Sequence, residues 1–174
     1  GAGNAALTPE NAITRTAGFV YSPSFVPGFT LGLDWFKVRI NNLITGITAT
    51  DVAEYCYVQG LAPYCAALKG DPITAQITSL NRGNANIGAL ETEGVDLSMA
   101  SRRPGPQYGQ FTVRSETAYV DKLREQATAG ADWTDYAGEY FYNRTKTNLS
   151  LDWSLANWNA TWTTRYHGGV KDRC

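Results

Sequence analysis

Six charged side chains are the residues of this sequence best placed for polar chemistry, because each falls on the polar face of an alternating segment. They are Asp34, Asp96, Arg114, Glu116, Asp152 and Arg165. Charges in such positions can hydrogen-bond a neighbouring domain or line a polar passage. Catalysis is not indicated: the single histidine, His167, has only Arg165 and Asp172 near it in sequence, and a lone histidine on a polar strand face is usually solvated. We therefore predict no enzyme, no cofactor and no metal site.

Seven aromatic side chains lie in the long segments that lack alternation, and they are the candidate ligand-binding surface. They are Tyr55, Tyr57, Tyr64, Trp133, Tyr136, Tyr140 and Phe141. Such rings can stack on a ligand, or they can pack the loops against one another. The sequence leaves both roles open.

Two of the three cysteines, Cys56 and Cys65, flank a short turn-rich segment. This spacing favours a local disulfide formed in an oxidising compartment. A zinc site would need further Cys or His ligands nearby, and none is present. Two unpaired thiols are the alternative. Cys174, the last residue, is expected to find a partner elsewhere.

The side chains over 145–166 alternate with a period of two, which indicates two β-strands with one apolar and one polar face. Leu149, Leu151 and Trp153 alternate with polar residues, and Trp158 and Trp162 do so after a break at 154–157. The break is short enough for a tight hairpin. The contrast between the faces fits a sheet between lipid and water at least as well as a soluble core.

The whole chain predicts six such strands, near 12–21, 29–40, 87–102, 109–124, 145–153 and 158–166. The connections at 22–28, 103–108 and 154–157 are short, whereas those at 43–86 and 127–142 are long. Within the first long connection we expect a short helix capped by Thr50 and a brief strand over 73–80. Short turns at one rim and long loops at the other are typical of outer-membrane barrels. The predicted fold is therefore all-β, with antiparallel up-and-down strands forming part of a large transmembrane β-barrel.

Aromatic residues gather beside the short turns, where an interfacial girdle would lie. They are Tyr21, Phe29, Tyr108, Phe111, Trp153 and Trp158. The alternative is that they are scattered core residues.

The alternation changes phase at Trp35–Phe36, after which the apolar residues take the other parity. A β-bulge would explain this change. The other explanation, which we favour, is that the strand leaves the lipid band here, so charged side chains face outward above it and apolar ones pack inward.

Composition excludes several classes. The 174 residues carry a formal net charge of -1, which argues against a nucleic-acid surface. No apolar run approaches the ~20 residues of a membrane helix. The first residues also lack the basic start and apolar stretch of a signal peptide.

Several stretches, in order and spacing, resemble the later barrel region of the TonB-dependent outer-membrane receptors. Residues 4–10 read N-A-A-L-T-P-E and resemble that family's N-P-x-L-x-P-E, with Ala5 where proline is usual. Residues 31–40, L-G-L-D-W-F-K-V-R-I, resemble its "sl-D-y-y-x-i-x-i" strand. Residues 90–96, L-E-T-E-G-V-D, are similar to its "L-x-T-x-G-v-D" strand, and 148–153 to a later one.

The resemblance implies a fragment, residues 1–174, of a barrel with about 22 strands and a plugged lumen, from which the plug and final strands are absent. It implies an outer-membrane receptor that imports siderophore-iron, cobalamin or carbohydrate with TonB-relayed energy. The implied partners are outer-membrane lipid, the rest of the barrel and its plug, TonB through the missing N-terminal part, and the nutrient; nucleic acid is not among them. The six charged side chains would then face the lumen or the plug, and the seven loop aromatics would contact the substrate. A passive porin and a secreted β-sandwich binding module are the alternatives.

Overall fold

The structure is a computed structural model that describes residues 7–71, 76–80, 83–86, 88–105, 107–126 and 131–172. They form two compact units. One comprises Gly1–Ile13, Arg39–Leu90 and Glu125–Thr134, and the other Thr14–Val38, Glu91–Arg124 and Asp135–Cys174. In chain order the elements are β1 Asn11–Tyr21, β2 Phe29–Asn41, β3 Ile44–Gly46, α1 Ala49–Tyr57, α2 Ala62–Cys65, β4 Leu68–Gly70, β5 Ile77–Leu80, β6 Asn84–Asn86, β7 Ala89–Gly105, β8 Gly109–Gln126, β9 Trp133–Asp135, β10 Thr145–Leu155 and β11 Trp158–His167.

The six predicted long strands are present and form one sheet in the order β1-β2-β7-β8-β10-β11, with β9 added beside β8. This is the up-and-down order that the sequence predicts for part of a β-barrel. The order is linear, so β1 and β11 are its outer strands among the residues described.

The hairpin of β10 and β11 follows from the alternation in its sequence. The pairing is antiparallel and unbroken from Lys146↔His167 to Leu155↔Trp158, which leaves a turn of two residues, Ala156 and Asn157. Ala156 has φ 49°, in the left-handed region that favours glycine.

The three strands β8, β10 and β11 have two contrasting faces. Leu151 lies between Val113 and Trp162, and Trp153 lies between Phe111 and Ala160. Across these paired rows, which extend from 110 to 119, 145 to 155 and 158 to 167, this face carries no charged side chain. The opposite face carries only one apolar side chain, Ala118. The predicted separation of apolar and polar faces is therefore present.

The pairing of β2 with β7 continues in one register through Trp35–Phe36. Three contacts define this register. A Cβ added to Gly32 would meet the Ser98 side chain, and one added to Gly94 would meet the Phe36 ring. Lys37 Nζ donates to the Glu93 carboxylate. Each pair lies directly opposite in the same antiparallel register, so no bulge separates them. This arrangement favours the explanation in which the strand alternates regularly while the chemistry of its two faces changes.

The connection between β2 and β7 has more structure than the sequence predicts. Helix α1 is present, but its N-cap is Thr48 rather than Thr50: Thr48 Oγ1 accepts from the Asp51 N–H, and the Asp51 carboxylate accepts from the Thr48 N–H. This reciprocal capping box satisfies two backbone donors at the helix start. Strand β3 pairs β6, and β4 pairs β5. The predicted strand over 73–80 is described only from 76, and β5 begins at Ile77.

One predicted strand end and one predicted loop are wrong. Strand β7 continues to Gly105 through the predicted turn at Arg103 and Pro104, because proline lacks only one ladder donor and is tolerated near a strand end. The predicted loop over 127–142 contains the short strand β9, which pairs β8. Neither helix in the described part of the chain has the length and apolarity needed to cross a membrane.

Candidate functional site

An ion pair between two neighbouring strands lies at the centre of the polar face. Arg114 Nη1 on β8 lies 2.6 Å from Asp152 Oδ2 on β10. The other carboxylate oxygen accepts a bond of 2.8 Å from the Thr161 hydroxyl on β11. Asp152 thus bonds side chains on both neighbouring strands, and its charge is balanced by Arg114.

A shallow groove of about 400 Å³ surrounds this ion pair. Two rows of paired residues form most of it: Gln110, Ser154 and Asn159 in one row, and Thr112, Asp152 and Thr161 in the next. Arg114 and Trp153 also contribute to the lining. Alternate residues of a strand share a face. Once the register between the strands is known, the sequence positions of these side chains therefore predict that they lie together.

The other predicted lumen residues fall on the same kind of face without an ion pair of this kind. Glu116 and Arg165 both lie opposite Asn148, one on each side of it. The β2–β7 register places Asp34 opposite Asp96, and the Asp34 carboxylate occupies the space that a Cβ on Gly18 would need. Of the six residues, the structure therefore brings Arg114 and Asp152 into direct contact.

A second charged cluster was not predicted from the sequence. Glu91 on β7 accepts two bonds from Arg124 on β8, at 3.1 and 2.7 Å, and lies 3.3 Å from Lys37 on β2. Glu93 accepts from Lys37 at 3.2 Å and from Lys122 at 3.1 Å. Glu91 is 1% exposed. Glu91 and Glu93 occupy alternate positions of β7, and Lys122 and Arg124 occupy alternate positions of β8. These opposite charges are the sequence signal that could have indicated this cluster.

The ion pair of Arg114 with Asp152 and the cluster around Glu91 lie on opposite faces of the sheet. Side chains that bond across neighbouring strands share a face, and Arg102 bonds Gln110 whereas Glu93 bonds Lys122. Arg102 has an even number and Glu93 an odd one, so they lie on opposite faces of a regular β7. Gln110 and Lys122 both have even numbers, so they would lie on the same face of a regular β8. Because β7 keeps one register with β2 from Arg102 to Glu93, the extra residue between these two contacts lies in β8, as in a β-bulge. Bulges are common near barrel rims.

Six of the seven candidate aromatics make ring contacts within their own unit, and four of the six are buried or half-buried. Tyr55 and Tyr64 have ring centroids 4.8 Å apart, and Trp133 lies beneath the Arg39 guanidinium, 5.3 Å from the ring centroid. Tyr136 contacts Tyr142 at 5.9 Å. For these four rings the contacts favour packing, one of the two roles that the sequence leaves open.

The remaining three, Tyr57, Tyr140 and Phe141, are 70%, 60% and 77% exposed. Tyr140 and Phe141 stack on each other at 4.2 Å, and Phe141 has φ 71°, an uncommon value for a bulky residue. The turn that holds them is fixed by backbone bonds from Gly138 N–H to the Tyr142 carbonyl and from Tyr140 N–H to the Lys171 carbonyl.

Cys56 and Cys65 are joined in a disulfide between α1 and α2, beside the Tyr55–Tyr64 pair. Burial raises the pKa of the Tyr64 phenol, and the carboxylates of Glu125 and Asp51 raise it further. Cys174 lies outside the described residues. Among the residues described, no group of His, Cys, Asp and Glu side chains is arranged to hold a metal ion.

Comparison with known proteins identifies one family. The family described as TonB dependent receptor-like, beta-barrel, matches residues 1–173. No curated protein and no solved structure matched the chain. The chain therefore belongs to the TonB-dependent receptor β-barrel family, whose members are outer-membrane transport receptors rather than enzymes.

Proposed function

We propose that this chain forms part of the barrel of an active-transport receptor that imports a scarce nutrient across the bacterial outer membrane with TonB-relayed energy. The observation that carries the proposal is the family match over residues 1–173, and the strand order and contrasting faces of the sheet support it. Siderophore-iron, cobalamin and carbohydrate are the three nutrient classes to be tested.

The six long strands cross the membrane in this proposal, with the Trp-rich face of β10 and β11 toward lipid. The absence of charge on that face of β8, β10 and β11 supports this direction, because Arg or Lys at the bilayer midplane costs about 2–4 kcal/mol. The face that carries Arg114 and Asp152 then faces the lumen, where it contacts the plug or the nutrient.

The short turns lie at the periplasmic side. Trp153 supports this placement: its indole Nε1 donates to the Tyr108 carbonyl at 2.7 Å, so a polar contact holds the ring beside the turn. An indole with an apolar body and a bonded N–H suits the headgroup level. Trp158, 73% exposed in the closing pair of the hairpin, is a second anchor.

The nutrient contacts the long loops first. Tyr57, Tyr140 and Phe141 are the strongest candidates, since their rings are exposed. The other four, Tyr55, Tyr64, Trp133 and Tyr136, are buried or half-buried. The remaining strands of the barrel are a further partner, because six strands are fewer than the roughly eight that close a membrane barrel. The other partners in this proposal are outer-membrane lipid, the plug and TonB.

The test is uptake by cells that carry or lack the full receptor gene, each with and without TonB. Labelled ferric siderophores, cobalamin and oligosaccharides are supplied at concentrations too low for passive entry. We expect uptake of one class that needs both receptor and TonB. Uptake that needs the receptor but persists without TonB would identify a passive porin instead.

A further inference from the structure

We propose that residues 8–10 form a strap that couples the segment entering β1 to the base of the long β2–β7 connection, so that the two open and close together. The base consists of residues 42–46 and 84–86, and the chain between these two stretches forms an arm that includes α1 and α2. Strap, base and arm all belong to one compact unit. The coupling goes beyond the proposed function, and only its role in transport rests on that function.

The Asn86 side chain joins the strap to the base. Its Oδ1 accepts from the Thr8 N–H at 2.8 Å, and its Nδ2 donates to the Thr8 carbonyl at 2.8 Å and to the Asn42 carbonyl at 2.7 Å. The carboxamide thus exchanges both hydrogen bonds with Thr8, as an opposing residue of an antiparallel strand would. Pro9 favours the extended backbone at Thr8 that this exchange requires.

Glu10 provides a second link between the strap and the base. Its Oε1 accepts from the Ile44 N–H at 2.6 Å. Such a bond to an ionised acceptor is roughly twice as strong as one between neutral groups. Ile44 begins β3 and lies directly opposite Asn86 on β6. The two links therefore meet at a single cross-strand pair of the base, which is the physical reason to expect that they act as one.

The strap is held through side chains and is accessible to water. Among the backbone–backbone hydrogen bonds of the described residues, none joins residues 7–10 to the β2–β7 connection. Thr8, Pro9 and Glu10 are exposed, and Asn86 is half-buried. Hydrogen bonds that water can replace contribute little net stability. We therefore expect the strap to open locally, at a lower free-energy cost than unfolding of the sheet.

The base closes the two ends of the arm on each other. Asn42 has φ 54°, a left-handed conformation that asparagine tolerates, and its N–H donates to the Gly88 carbonyl at 3.2 Å. The β3–β6 pairing continues from Ile44↔Asn86 to Gly46↔Asn84. Because both ends of the arm leave from this closed base, the strap determines the direction in which the arm, with the exposed Tyr57, leaves it.

The experiment is hydrogen exchange on the full receptor in detergent, resolved to single amides by electron-transfer fragmentation. It follows Thr8, whose N–H is held by Asn86, and Ile44, whose N–H is held by Glu10. The variants are Asn86→Ala, Glu10→Ala and the conservative Glu10→Gln. Gln59→Ala is the matched control, because Gln59 is an exposed carboxamide of the same connection whose side chain makes no hydrogen bond within the described residues. Heat-modifiable migration on a gel checks that each variant folds.

In the unaltered receptor, the Thr8 and Ile44 amides should have protection factors within about threefold of each other, because one opening exposes both. Asn86→Ala should speed exchange about tenfold at Ile44 as well as at Thr8, as for the loss of one or two hydrogen bonds. Glu10→Ala should do the same at both amides, since coupling between two sites is reciprocal. Glu10→Gln keeps an acceptor for Ile44 and should cause a smaller change. Gln59→Ala should cause none.

Faster exchange only at the amide whose own acceptor is removed would overturn the coupling. Protection factors that differ by more than about tenfold in the unaltered receptor would also overturn it, and this measurement needs no variant. No nutrient is added in either case, so failure here leaves the proposed transport function intact. That function fails only if uptake does not need the receptor and TonB.

Discussion

Arg114 Nη1 lies 2.6 Å from Asp152 Oδ2, and the two side chains link β8 to β10 across the polar face of the sheet. The same sheet contains Glu91, whose carboxylate forms ion pairs with Arg124 on β8 and Lys37 on β2. The two groups differ in burial: the side chains of Arg114 and Asp152 are 60% and 33% exposed, against 1% for Glu91. Burial decides which of the two contributes more to stability.

Glu91→Gln should destabilise the full receptor by about 2 kcal/mol, because the buried negative charge that balances Arg124 and Lys37 is lost and an amide N–H₂ group replaces one carboxylate oxygen. Asp152→Asn should cost about 1 kcal/mol or less, since exposed ion pairs contribute little. Urea unfolding in detergent, followed by tryptophan fluorescence, measures both. Equal losses in the two variants would show that the cluster around Glu91 is solvated.

The direction of the faces is tested by a lysine at adjacent positions of β10. Leu151→Lys should destabilise the barrel by about 2–4 kcal/mol, because it places a charge on the proposed lipid face. Ser150→Lys should cost about 1 kcal/mol or less, since Ser150 lies on the polar face and only the like charge of Arg114, directly opposite, disfavours the lysine. The amount of heat-modifiable protein in outer membranes reports each result. The reverse order would place the Trp-rich face in the lumen.

The turn of the β10–β11 hairpin offers a stabilising substitution. Ala156 has φ 49°, and a left-handed conformation costs an L-residue about 1–2 kcal/mol. Ala156→Gly should therefore stabilise the receptor by about 1 kcal/mol in urea unfolding. Asn157→Gly is the comparison, because Asn157 does not have a positive φ and the added chain freedom should destabilise it slightly.

The disulfide should restrict the α1–α2 segment. In intact receptor, reduction or a Cys56→Ser/Cys65→Ser double variant should increase proteolysis near the exposed residues Tyr57 and Val58. Mass mapping of the fragments under oxidising and reducing conditions measures the change. Tyr55 and Tyr64 lie directly beside the cysteines and contact each other, so unchanged cleavage would mean that the ring contact alone holds the segment.

The strands could be predicted because their alternation is local: Leu149, Leu151 and Trp153 indicate a strand without knowledge of its neighbours. The helix start was misplaced because Thr48 and Thr50 are both good caps, and only the Asp51 contact distinguishes them. The cluster around Glu91 was missed although its alternating charges are visible in the sequence, since which of them meet depends on the register of β2, β7 and β8. The small β3–β6 and β4–β5 sheets were missed because strands of three or four residues have too little alternation.

The contrast between the two faces of β10 and β11 has a consequence for assembly in the membrane. In the proposed orientation, a slip of β11 by one residue against β10 would turn Arg165 toward the acyl chains and Trp162 toward water. The bilayer would therefore reject misaligned hairpins on energetic grounds, whatever machinery inserts the chain. The alternation that would form the proposed lumen wall would thus also select the correct register during biogenesis.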